Sequence, residues 1–251
     1  MTHQILFLKN LIKYILQRIL GINRYLFLFS KFKIKTLHND RNEKDFFHFI
    51  TLLKNRDGII IDIGANIGIM SYHLVNSFPN KIIHAIEPIP CNIQVLNKIK
   101  RHYKLEQLKV HPIALGDTST DIEMILPKEG GAIQQGLSHV KHEEITEWNN
   151  GELIKVTQKK MDDVFGETHV CGIKIDVENY EYYALKGGVN LIKRNNPIIY
   201  CELWDNENRR KCFELVNSLD YKIYVLIKDK LEIYDSSKHE KQNFFFIPSK
   251  K

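Results

Sequence analysis

The sequence predicts an α/β fold: a mostly parallel, twisted sheet with helices on both faces and an antiparallel strand pair at the C-terminus. Three observations carry this. Short β-branched runs alternate with stretches of helical period from residue 58 onward. The first of these runs ends at a glycine-rich turn that opens a helical stretch. The last two apolar runs, Tyr221 to Ile227 and Phe244 to Ile247, read as a terminal strand pair.

Taken in order, Ile59 to Ile63 is a buried strand, and Ile67 to Phe78 is a helix closed by Pro79-Asn80. Ile82 to Ile86 is the second strand, ended by Glu87-Pro88. Asn92 to His102 repeats apolar residues at Ile93, Leu96 and Ile99, a helical period. Leu108 to Leu115 is a third strand, broken by Gly116-Asp117. This β-α-β-α-β order demands parallel strands with right-handed crossovers. Residues 117–168 form a polar excursion with Gly130-Gly131, Gly136 and Gly151 and strand-like pieces such as Ile122 to Leu126. An excursion of that length is functional or separately ordered. Alternation resumes with a strand at Val170 to Ile175, a helix from Tyr180 to Lys193, a strand at Pro197 to Leu203 and a helix at Arg209 to Ser218. The expected organisation is a basic amphipathic extension over residues 1–45 and a single domain over 46–251, with the inserted excursion facing the substrate.

Composition narrows the class. With 251 residues, 43% hydrophobic and 26% charged, the chain is neither disordered, collagen-like nor a disulfide scaffold. Cys91, Cys171, Cys201 and Cys212 show no Cys-x-x-Cys spacing and read as free thiols in a reducing compartment. The net charge of +6 is uneven: the first 39 residues hold seven Lys and Arg and no acid. The remainder is close to neutral, which removes support for a nucleic-acid groove. Lys13 and Arg18 interrupt any apolar stretch long enough for a spanning helix or a signal sequence. Two readings stay open for this segment: it packs on the domain, or residues 1–35 lie on an anionic membrane surface. The expected location is cytoplasmic, with peripheral contact at the inner face of the membrane in the second reading.

The most informative stretch is Asp62-Ile63-Gly64-Ala65-Asn66-Ile67-Gly68. A strand delivering an acid, then a glycine turn, then a helix, is a ligand-binding arrangement at the carboxyl end of a parallel sheet. Glu87, ending the second strand, stands where a ribose diol is held. No Gly-Lys-Ser or Gly-Lys-Thr follows, which excludes a P-loop, and two glycines fit a dinucleotide fingerprint poorly. A carboxylate at Asp62 repels a pyrophosphate but suits a ligand carrying an ammonium and a sulfonium. S-adenosyl-L-methionine is such a ligand.

The same stretch, with Glu87-Pro88, Ala114-Leu115-Gly116-Asp117 and Ile173-Lys174-Ile175-Asp176-Val177-Glu178, resembles the FkbM-type methyltransferases. The similarity covers roughly residues 58–205 and extends to Leu185-Lys186-Gly187-Gly188 and Glu202. It implies a class I Rossmann-like methyltransferase that uses S-adenosyl-L-methionine to methylate a hydroxyl of a saccharide, glycolipid or related natural product. It further implies a cofactor set of Asp62, Gly64, Ala65, Asn66, Gly68, Glu87, Pro88, Ala114, Leu115 and Asp176. Asn179 departs from the glycine more usual after the Asp-x-Glu element, although asparagine tolerates a left-handed backbone.

Methyl transfer to oxygen is an in-line displacement in which the protein aligns the acceptor and helps remove its proton. Asp176 or Glu178 is the candidate general base, or the pair, with Glu202, holds a divalent cation that acidifies the acceptor. The plainer alternative has Asp176 orienting a ligand and Glu178 capping the helix that follows. Lys174, inside a parallel strand, is expected to pair with Glu202 or Asp176. His139 is a candidate base, and Ser138, His142, Glu143, Glu144 and Trp148 suit a sugar face. Asp162-Asp163 reads as turn and cap chemistry. The competing functions are a nicotinamide-dependent oxidoreductase, an RNA methyltransferase and a non-catalytic scaffold.

Overall fold

The computed structural model describes residues 2–141 and 149–249. Helix α1 (Thr2–Leu20) and helix α2 (Ile22–Thr36) meet at Gly21, and α3 spans Lys44–Leu52. The alternating part follows as β1 (Ile59–Ile63), α4 (Ile69–Ser77), β2 (Ile83–Ile86), α5 (Pro90–Tyr103) and β3 (Leu108–His111). Next come β4 (Ala114–Leu115), β5 (Thr120–Glu129), β6 (Ala132–Ile133), β7 (His139–Val140), β8 (Gly151–Lys159) and α6 (Met161–Phe165). The chain continues through β9 (Val170–Ile175), α7 (Glu181–Lys186), α8 (Val189–Asn195), β10 (Ile198–Glu202) and α9 (Glu207–Ser218). It ends with β11 (Tyr221–Ile227), β12 (Lys230–Ile233) and β13 (Asn243–Pro248).

Eight strands make one sheet in the order β12-β11-β13-β10-β9-β1-β2-β3. The five strands from β10 to β3 run parallel; β13 lies antiparallel to β10, and β11 antiparallel to β13. Alternate residues feed opposite layers, as the strand period requires. Ile60 and Phe245 pack with Leu26, Phe49, Leu74 and Leu96 on one face. Ile61, Ile63, Ile173 and Phe246 pack with Leu185 and Val216 on the other. The buried Leu26 and Ile34 bring α2 into the first layer, where Ser30 Oγ donates to the Ile67 carbonyl at 3.1 Å. Among the described residues no helix is long and apolar enough to cross a membrane. The four cysteines are free, with Cys171, Cys201 and Cys212 buried.

Four expectations need correction. The third apolar run is two strands, because Pro112 has no N–H to continue the ladder: β3 stays in the main sheet, while β4 pairs with β8. The excursion's strand-like pieces are more than isolated strands and form a second sheet. There β5 and β8 pair antiparallel from Thr120–Gln158 to Pro127–Gly151, and β4, β6 and β7 join them. The apolar side of this second sheet, with Met124, Leu126, Val140 and Val156, closes over Ile89, Ala114 and Tyr180 at the carboxyl ends of the main strands. The single helix expected from Tyr180 to Lys193 breaks into α7 and α8 at Gly187-Gly188. A Cβ at Gly187 would stand 1.9 Å from the Gly116 carbonyl oxygen, and one at Gly188 2.7 Å from Met161 Sδ. Lastly, β12 forms a hairpin with β11 through Lys228 and Asp229, whose φ angles of 46° and 65° make a primed turn without the usual Asn-Gly signal.

Candidate functional site

The glycine turn after β1 is shaped by close approach. Gly64 has φ 78°, and a Cβ there would lie 1.8 Å from the Asp176 carbonyl oxygen. Gly68, at φ 83°, begins α4 and would drive a Cβ to 2.4 Å from Leu96. Gly64 N and Ala65 N both donate to the Ile86 carbonyl at 3.0 Å, which lays the turn across the end of β2. There Glu87 Oε2 accepts from Asn66 N at 2.9 Å, and Oε1 accepts from Ile89 N at 2.9 Å and Asn92 Nδ2 at 3.1 Å. Burial pushes the Glu87 carboxyl up to about 7, against those hydrogen bonds, which favour its charge.

A cavity opens above this turn. Its floor is Gly64, Asn66, Glu87, Pro88 and Asn92; Ala114, Leu115 and Asp176 to Glu178 form its sides. Met124, Val140, Gln135, Gly136 and Ser138 of the second sheet and its connections roof it. Asn66 Oδ1 and Gln135 Oε1 are buried acceptors without a hydrogen-bond partner. Of the expected cofactor set, Gly64, Asn66, Glu87, Pro88, Ala114, Leu115 and Asp176 line this space. Ala65 and Gly68 instead build the turn, with Gly68 N donating to the Ala65 carbonyl at 2.9 Å.

Asp62, expected beside a cationic ligand, does not line this cavity. It is fully buried behind the turn, where Oδ2 accepts from Ser71 Oγ at 2.6 Å. Oδ1 faces Lys174 Nζ at 3.4 Å, and the same ammonium lies 3.4 Å from Asp176 Oδ2 and donates to the Gly64 carbonyl at 3.1 Å. Burial works against the Lys174 charge, but Asp62 and Asp176 outweigh it and hold the ammonium above its ordinary value. Of the two partners expected for Lys174, Asp176 is in contact. The buried partner is Asp62, because β1 flanks β9 with Asp62 level with Lys174. On β10 the residue level with Lys174 is Tyr200, not Glu202.

Past β9 the backbone turns sharply, with left-handed φ angles of 52° at Glu178 and 72° at Asn179. The asparagine in place of glycine thus adopts the conformation the turn needs. Glu181 rather than Glu178 secures the helix start: its Oε1 accepts from Val177 N and Asn179 N, both at 3.2 Å. Burial, then the negative charges of Asp176, Glu202 and Glu181, push the Glu178 carboxyl up to about 9. Burial and Asp176 likewise raise Glu202 to about 7. Asp176 itself stands between two spaces. Besides the cavity, it lines a polar groove with Glu43, Tyr200, Glu202, Arg209 and Asn243.

The sequence pattern of the FkbM methyltransferase domain matches residues 62–232, the span from the glycine turn through the second sheet to β12. The chain belongs to the FkbM methyltransferase family. A curated relative, Methyltransferase 1 of Beauveria bassiana (strain ARSEF 2860), is 23% identical over 145 residues, covering 52% of this chain and 58% of that protein. The chain therefore spans under two thirds of that relative's length. The solved FkbM methyltransferase of Methylobacillus flagellatus KT superposes with a TM-score of 0.50 at 18% identity, covering 79% of this chain and 47% of that one, a likeness of fold.

Three expectations for this FkbM-family methyltransferase are revised by the geometry. His139, a candidate base, does not line the cavity: strand alternation turns Ser138 and Val140 to it and His139 away. Its ring nitrogens are taken by the Leu137 carbonyl at 2.9 Å and Asn149 Oδ1 at 3.1 Å. Asp176, Glu178 and Glu202 oppose one another's charge without converging as ligands. Among the described residues no group of three or more His, Cys, Asp or Glu could hold a metal ion. Glu202 faces the groove, not the cavity. Asp162 does cap a helix, accepting from Leu191 N at 2.8 Å at the start of α8. His142, Glu143, Glu144 and Trp148 lie outside the described residues. The residue that sequence reasoning missed is Gln135, for which only its place in a Gly-containing turn was a signal.

Proposed function

We propose that this methyltransferase moves a methyl group from S-adenosyl-L-methionine to a hydroxyl oxygen of a saccharide, glycolipid or similar polyhydroxylated acceptor. The observation that carries the reading is the position of Asp176, which lines both the cavity and the polar groove. The cavity suits the cofactor. The partnerless acceptors Asn66 Oδ1 and Gln135 Oε1 fit donors such as an ammonium or an adenine amine. Glu87 Oε2 has one protein partner and retains a lone pair for a ribose hydroxyl. At Gly136 a Cβ would meet only Asn66 Nδ2, at 3.7 Å, so the absence of a side chain keeps the roof clear.

The groove suits the acceptor. Arg209 Nε is a buried donor and Asn243 Oδ1 a buried acceptor, both without partners. A hydroxyl donates and accepts at once, so a polyol satisfies both where an apolar acceptor satisfies neither. The cofactor, when bound, supplies an electrophilic methyl on a positive sulfur. The acceptor oxygen would displace sulfur at that methyl, a C–O bond replacing the C–S bond whose electron pair would leave on sulfur. Asp176 takes the hydroxyl proton, with Lys174 holding the carboxylate in place. Glu178, raised to about 9, keeps its proton at neutral pH and serves as a donor rather than as the base.

Calorimetry with S-adenosyl-L-methionine and S-adenosyl-L-homocysteine tests the cofactor. Mass spectrometry of glycan and glycolipid pools incubated with methyl-labelled cofactor tests the acceptor. Label on nitrogen or carbon, or none on any hydroxyl-bearing pool, overturns the reading.

A further inference from the structure

Helix α1 is amphipathic in the inverse sense. An amphipathic helix of a globular protein normally turns its apolar stripe to the core. Here the polar face is the one docked. Gln17 makes a reciprocal pair with β6, its Nε2 donating to the Ile133 carbonyl at 3.0 Å and its Oε1 accepting from Ile133 N at 2.9 Å. Lys13 Nζ donates to Gln134 Oε1 at 2.6 Å, and Tyr14 lies over Gly131, its ring 2.9 Å from where a Cβ would be. The stripe at helical spacing, Leu8, Leu11, Ile12, Ile15, Leu16 and Ile19, faces outward, each residue between 39% and 73% exposed.

The second helix repeats the arrangement on its outer side. Its inner residues Leu26 and Ile34 are in the core, while Leu28, Phe29 and Phe32 are exposed. Arg24 and Lys35 are exposed beside them, as Arg18 is beside the α1 stripe. No acid occurs before Asp40. A monomeric surface rarely leaves this much contiguous apolar side chain in water, so the face has an occupant.

We propose that the outer face of α1 and α2 docks on an anionic lipid bilayer, with the helices lying in the interface. Apolar side chains flanked by cations, with no acid in the segment, match an acyl boundary beneath anionic headgroups. Neither helix is long and apolar enough to pass through. A second copy is the poorer occupant, because pairing this face with itself about a two-fold axis sets like charges against like. Docking places α1 between the bilayer and β6, the strand that leads into the Gln135-Gly136 segment of the cavity roof.

The test uses the full chain and sedimentation with vesicles of phosphatidylcholine alone or of phosphatidylcholine with one third phosphatidylglycerol. The expected result is partition onto the anionic vesicles, weakened by salt. The double variant Ile12→Glu/Ile19→Glu should weaken it by at least about tenfold, as should Arg24→Glu/Lys35→Glu through charge alone. These side chains are exposed, so thermal unfolding and binding of S-adenosyl-L-homocysteine should match the parent protein. No binding to anionic vesicles, or equal binding by parent and variants, overturns the proposal. So does light scattering that finds a dimer in the parent and a monomer in Ile12→Glu/Ile19→Glu, because the face then belongs to a second copy.

Discussion

Asp62 and Lys174 face each other in register across two adjacent parallel strands, and their charged atoms lie 3.4 Å apart with almost no solvent contact. The pair is therefore structural before it is catalytic. Removing Asp62 leaves the buried Lys174 ammonium with the partly exposed Asp176 as its one charged partner, so Asp62→Ala should lower unfolding free energy by up to about 3–5 kcal/mol in urea. Asp62→Leu combined with Lys174→Met should recover much of that, since neither charge is then stranded. A loss under about 1 kcal/mol for the single variant would show that the pair is dispensable.

Glu87→Ala should weaken S-adenosyl-L-homocysteine binding roughly 10- to 100-fold by calorimetry, the size of one charge-assisted hydrogen bond. Part of the effect reaches the ligand through Asn66 N, which loses its anchor. Unchanged affinity would place the cofactor elsewhere.

Asp176→Asn should cut turnover by about 10²- to 10⁴-fold, the range for losing a general base. Cofactor affinity should stay within about tenfold of the parent. Rapid turnover by the asparagine variant would move the proton acceptor to another group.

The raised carboxyl of Glu178 makes stability depend on pH with a definite sign. Its folded value of about 9 lies above the ordinary 4.5, so the folded chain binds the extra proton between those limits. Stability is then lost as pH rises through that window. Glu87, Glu181 and Glu202 are raised only to about 7, so between pH 7 and 9 this loss belongs mainly to Glu178. The melting temperature should fall over that interval by several degrees, and Glu178→Gln should flatten the slope. A parent and variant with parallel curves would contradict this.

Two glycines with similar φ angles should respond differently to alanine. At Gly64 the new Cβ meets the Asp176 carbonyl, whereas at Gly21 nothing lies within 4 Å. Gly21→Ala should cost only the backbone strain of a conformation that glycine alone adopts readily, φ 73° with ψ 150°, about 1–3 kcal/mol. Gly64→Ala should also displace the turn and abolish cofactor binding, as thermal shift with the ligand would report.

The parallel core was legible because β-branched runs at helix-separated intervals have few other solutions. The turn from Asp62 to Gly68 was legible because close approach demands glycine there. What escaped was pairing between distant segments. The partner of Lys174 depends on which strand flanks β9, and a strand order of this kind is not written in spacing. The pairing of the second sheet escaped because its strands carry apolar residues on one side only, as at Met124 and Val156, amid polar neighbours that left only strand-like pieces in view. His139 misled because residue type suggested a base while the phase of a two-residue strand decided the direction of its ring.

The Lys174 ammonium also ties three parts of the site into one. It grips the carbonyl of Gly64, the carboxylate of Asp62 and the carboxylate of Asp176. The place where a ligand would rest and the group that would deprotonate the acceptor are thus coordinates of a single rigid triangle. Redesigning acceptor choice should begin on the groove walls around Glu240 and Asn243, which make none of that triangle's contacts.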